Sequence, residues 1–200
     1  MLQNAFYRRP RALDDGFYHR ADKRRGDKLQ EQNQFEADED ALAIACGIVD
    51  RKLLDELLAA DVTPKTLAAF ALFPAVYVAW SDGHVMPAAK KAVLQEVHDL
   101  GICHTAPAYQ LLECWLQRKP APELVVAWKN FIRAARPTLS VEGFQELREA
   151  SMQRAHRIAK AAGGFLGTGR VSAKEKESLA ELEEVFDFAA AEGENDVSIE

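Results

Sequence analysis

From residue 38 onward, apolar residues at helical spacing are bracketed repeatedly by helix-start and helix-stop residues, and no strand-like alternation with hairpin turns interrupts them. Apolar side chains three and four positions apart share one face of a helix, whereas a half-buried strand needs strict alternation. That punctuation confines the chain to an all-α fold, and its spacing predicts about seven helices.

Asp38 is placed to cap a first helix bearing Leu42, Cys46, Val49, Leu53 and Leu57. Thr63-Pro64 opens a second that runs to about Trp80, where Ser81-Asp82-Gly83 ends it; Gly suits the left-handed residue after a helix. Pro87 opens a third helix, with Val93, Val97 and Leu100 on its apolar side, and Gly101 ends it. A fourth starts near Thr105 and carries Leu111, Leu112, Trp115 and Leu116 to Lys119-Pro-Ala-Pro122; a fifth runs to Arg136 before Pro137. Ser140 caps a long sixth helix through Leu147 and Ile158 to Gly163 and Gly164. Ser172-Ala-Lys-Glu175 has the form of a capping box, in which the first and fourth residues bond each other's backbone amide, and it opens a seventh helix with Leu179, Leu182 and Phe186.

The flanks differ from this body. Residues 1–28 hold eight Lys or Arg against four Asp, a balance of +4 that leaves −10 on the remainder of a chain whose net charge is −6. Residues 1–37 are polar, lack periodicity and read as a flexible basic arm, with Phe6, Tyr7, Phe17 and Tyr18 as its aromatic exceptions. Residues 38–190 form the helical domain, and 191–200 an acidic tail. No run of 18 apolar residues is present, so no membrane span is expected. The amino terminus has no apolar stretch of the secretory kind. Three cysteines without a CxxC pair fit reduced thiols in a cytoplasmic protein, each acting as a small buried hydrophobe. Nucleic acid is not an expected partner: Arg8, Arg9, Arg11, Lys23, Arg24 and Arg25 would favour it, but the acidic body opposes it.

Two segments match at an offset of 86 residues. Val76 to Lys91 contains a helix end, Gly83, Val85 and a new helix start; Ala162 to Glu177 repeats this with Gly169 and Val171. Two related helix-loop-helix units packed with approximate two-fold symmetry are expected. The segments Ala79-Trp80-Ser81-Asp82-Gly83-His84-Val85 and Gly169-Arg170-Val171-Ser172-Ala173-Lys174-Glu175 resemble the loop signature of the TerB-like (tellurite-resistance) family. That resemblance implies about seven helices, affinity for divalent cations and a link to chemical stress, with no enzymatic activity. The sequence departs from the family pattern at Ala89 and Thr168, where acidic residues are expected, so each loop keeps one carboxylate: Asp82 in the first, Glu175 in the second. These two are the candidate metal ligands. Hard cations need several oxygens, so any divalent cation is expected to bind weakly, and only if the loops converge.

Both carboxylates also have structural roles, Asp82 in a tight turn and Glu175 in the capping box. Trp80, His84, Arg170 and Ser172 flank the turns and are the candidate binding residues, with Ser172 and Arg170 at a helix start where a phosphate is a weaker option. His98, Cys103, His104 and Cys114 match no zinc spacing, and Gly163 to Gly169 lacks the strand context of a phosphate loop. No nucleophile accompanies His84 or His156. The catalytic set is therefore none and no cofactor is required. The expected function is a non-catalytic helical interaction or scaffold module with a protein partner and a link to stress, the alternative being a divalent-cation-binding tellurite-resistance protein.

Overall fold

The computed structural model describes residues 32–162 and 171–196. Over these residues the chain is all helical, with no strand. The order is α1 (32–46), α2 (Arg51–Ala59), α3 (Leu67–Phe70), α4 (Phe73–Ala79), α5 (Pro87–Asp99), α6 (Pro107–Gln117), α7 (Pro122–Ala135), a 3-10 turn (Arg136–Thr138), α8 (Val141–Ala162) and α9 (Ala173–Asp196).

The count exceeds seven because two of the expected helices are each split. The first breaks at Gly47, whose φ of +70° is left-handed and ends α1. Asp50, not Asp38, supplies the cap: its carboxylate accepts from the amides of Lys52 (3.0 Å) and Leu53 (3.3 Å). Asp38 lies inside α1, accepting from Gln34 Nε2. The break rotates Val49 off the apolar face, and it ends 89% exposed. The second breaks at Ala71-Leu72 because of Pro74. Proline has no N–H to give the Phe70 carbonyl, and its ring crowds that carbonyl, so the chain restarts with Pro74 in the first turn of α4. Ahead of α3 the organising residue is Thr66 rather than Thr63. Its buried hydroxyl accepts from the Thr63 amide and donates to the Asp61 carbonyl, holding Asp61 at φ +61°.

The remaining boundaries follow their signals. Ser140 Oγ accepts from the Gly143 amide at the start of α8, and Gly101 ends α5 at φ +72°. Leu100 is exposed instead of lying on the apolar side of α5. Helix α1 starts by residue 32 and α9 continues to Asp196, so 32–37 and 191–196 are helical rather than arm and tail.

Helix α4 (Phe-Pro-Ala-Val-Tyr-Val-Ala) is buried at every position except Tyr77, and it packs against α8 and α9 and more narrowly against α5 and α6. Its short side chains let α8 approach, while Phe73 anchors an aromatic cluster with Trp115 and Trp128, each 6.1 Å away between ring centroids. Burying a side chain of that size stabilises the fold by about 1.5–3 kcal/mol. Across α5 and α8, Glu96 is clasped by the Arg157 guanidinium through two hydrogen bonds of 2.6 and 2.7 Å. This raises the Arg157 pKa chiefly through those bonds.

Candidate functional site

The first repeat loop follows α4 directly. The Gly83 amide donates to the Trp80 carbonyl (2.8 Å) at φ +84°, closing the turn. Half-buried Trp80 donates its indole N–H to the Trp115 carbonyl (2.8 Å), so it ties α4 to α6. His84 is exposed. In the second loop, Thr168, Gly169 and Arg170 lie outside the described residues.

The start of α9 is the reciprocal capping box its sequence announces. The Glu175 amide donates to Ser172 Oγ (3.1 Å), and the Ser172 amide donates to the Glu175 carboxylate (2.6 Å). Glu175 is 2% exposed. The two loops meet: Ser172 Oγ donates to Asp82 Oδ2 (3.4 Å), and Ser81 and Ser178 share a hydrogen bond of 2.8 Å. One turn further, Tyr77 donates its phenol to Glu181 of α9. Burial, then that bond and the charges of Glu181 and Glu177, push the Tyr77 phenol up to about 12. Thus Asp82, Ser172 and Glu175 belong to one polar seam joining the end of α4 to α9, whereas Trp80 is tied to α6 instead.

The seam uses its own groups. Glu175 is committed to an amide, Ser172 both accepts and donates, and Asp82 brings one exposed carboxylate. Among the described residues no three His, Cys, Asp or Glu side chains group as a metal site would require. Cys114 and Cys103 line separate clefts. Both are exposed, against the expectation of buried thiols, and Cys46 is half-buried. The Cys103 thiol is pulled below its ordinary range, first by the Thr105 hydroxyl 3.2 Å away, with the Thr105 and His104 amides adding to it.

A second feature has an apolar character that the repeat loops lack. Where α1 ends, a cleft of about 290 Å³ opens between Cys46, Phe70, Trp128, Phe131, Leu139 and Leu147. No charged side chain lines it. Of its three polar side chains, Cys46 gives its thiol proton to the Leu42 carbonyl (3.0 Å) and Thr138 gives its hydroxyl proton to the Ala135 carbonyl (2.9 Å), so these two are spent on backbone, and buried Ser151 is the third. Leu139 is 37% exposed at the rim, and the end of α1 and the turn after it leave Ile44 84% exposed and Val49 bare. Sequence reasoning passed over this cleft because its walls come from four separated segments. Its available signal was an apolar Leu139 stranded between Pro137 and Ser140.

No family model, no curated protein and no solved structure matches the chain. Among the described residues no helix is long and apolar enough to cross a membrane.

Proposed function

We propose that the chain is a non-catalytic helical interaction module which receives an apolar side chain or short apolar helix face of a protein partner. The observation that carries this reading is the cleft beside Cys46: an apolar concavity without a charged group, at the lower end of the size range of ligand pockets. Such a lining offers dispersion and desolvation energy and no proton transfer, so it suits recognition rather than reaction. Leu139, partly exposed at the rim, gives an entering apolar side chain an edge to pack on. The link to chemical stress rests on the likeness of the two loop sequences to the TerB-like family. A divalent-cation role draws support from the meeting of the loops, but the engagement of Glu175 in the capping box weighs against it.

The test is a photo-crosslinking amino acid placed at position 139, with one at the exposed position 183 as control, in the protein's own cells. A discrete adduct from 139, competed by an untagged copy and missing from 183, supports the module. A folded protein that gives no adduct from 139, or equal adducts from both positions, overturns it.

A further inference from the structure

We infer that the cleft between α5 and α6 binds a small organic anion with an apolar body, such as an aryl or acyl carboxylate, sulfonate or phosphate ester. Pro87, Lys91, Leu94 and His98 recur at helical spacing along one face of α5, and Lys90 sits beside them. The opposite wall is Ile102, Cys103 and His104 with Tyr109 of α6, enclosing about 620 Å³, within the range of small-ligand sites.

Three observations fix the ligand's chemistry. First, no carboxylate lines this cleft, although the chain's net charge is −6. The clefts beside Cys114 and Asn130 mix signs, with Glu56 and Glu123 against Arg118 in one and Asp50 against Arg133 in the other. Second, neither acid of α5 is part of the lining. Glu96 is held by Arg157 of α8, and Asp99, at the edge of the cleft, is tied to two lining residues, accepting from Gln95 (2.8 Å) and lying 3.6 Å from His98. Lys90 and Lys91 are the fixed cationic side chains of the lining, and they attract an anion held there. Third, the floor is apolar: Leu94, Ile102 and Tyr109 are half-buried and pack on the core. Two cations over an apolar floor favour an amphiphilic anion over inorganic phosphate or a neutral hydrocarbon.

Cys103 lines the cleft and is exposed, so it reports occupancy, and exposed Cys114 in the other cleft is an internal control. Alkylation by neutral iodoacetamide is followed at each cysteine by peptide mass, with naphthoate or its neutral amide added. At ten times its dissociation constant, naphthoate should slow Cys103 about tenfold, as one-site occupancy requires, and leave Cys114 unchanged. The amide should not protect. The double variant K90Q/K91Q should lose protection and K90R/K91R should keep it, with circular dichroism confirming the fold. Equal protection by the amide, protection retained in a folded K90Q/K91Q, or no protection of the wild type overturns the proposal. The naphthoate and amide comparison on the wild type decides it if the glutamine variant fails to fold.

Discussion

Ser172 donates its hydroxyl to Asp82 across 3.4 Å, joining loops that lie 90 positions apart in the chain. The same oxygen accepts from the Glu175 amide, so one hydroxyl caps α9 and docks its N-terminus on the turn after α4. Ser172→Ala should cost about 1 kcal/mol, the usual loss for a helix cap. Asp82→Asn should cost less, because an exposed bond of this length contributes little. If the two are coupled, a double-mutant cycle by urea denaturation will show the double variant losing less than the sum. A Ser172→Ala variant as stable as wild type would show that the cap is dispensable.

Gly83 stands at φ +84° with no atom within 4 Å of where a Cβ would be. Steric room is therefore not the constraint; the backbone conformation is. Gly83→Val should destabilise by about 1–3 kcal/mol and Gly83→Asn by less, since Asn tolerates the left-handed region better. Equal losses for Val and Asn would point away from backbone conformation as the cause.

The Tyr77 phenol, raised from 10 to about 12, sets a pH dependence with a definite sign. The unfolded chain releases this proton near pH 10 while the folded chain holds it. The contribution is thus fully present below pH 10 and is lost as pH rises through about 12. Tyr77→Phe should lessen the decline of stability across that window, measured as thermal midpoints by circular dichroism. Parallel curves for the two proteins would contradict the assignment of Tyr77 to the seam.

Asp82 and Glu175 are brought near one another, yet hard cations such as Ca²⁺ need about six to eight oxygen ligands. One carboxylate is exposed, and the other is buried against an amide. Calorimetry with Ca²⁺, Mg²⁺ and Zn²⁺ should show no submicromolar site. A tight site removed by the Asp82→Asn, Glu175→Gln pair would restore the cation-binding alternative.

The all-helical class was readable from the periodicity because caps and glycines mark helix ends locally. Gly101, Ser140 and the Ser172–Glu175 box act at the positions their chemistry dictates. The two split helices were less legible. Gly47 and Pro74 each sit within an apolar pattern that continues through them, and the register shift that strips Val49 of cover emerges only in three dimensions. The polar seam was half legible. Its residues stood out as a repeat, but their meeting depends on α4 and α9 packing together. The apolar cleft could not be read, since it gathers side chains from four separated segments. The α5–α6 cleft comes from the single stretch 87–109, but no motif marks it, and its shape depends on how α6 folds back on α5.

The central claim is that the apolar cleft beside Cys46 holds a protein partner. Native mass spectrometry of protein purified from its own cells tests it most directly, comparing wild type with Leu139→Asp, a change at a partly exposed rim position. The wild type is predicted to carry a stoichiometric polypeptide, and Leu139→Asp, equally folded, to appear alone at 22.2 kDa. Wild type that is alone at that mass, or a partner retained at full occupancy by the folded variant, would contradict the claim.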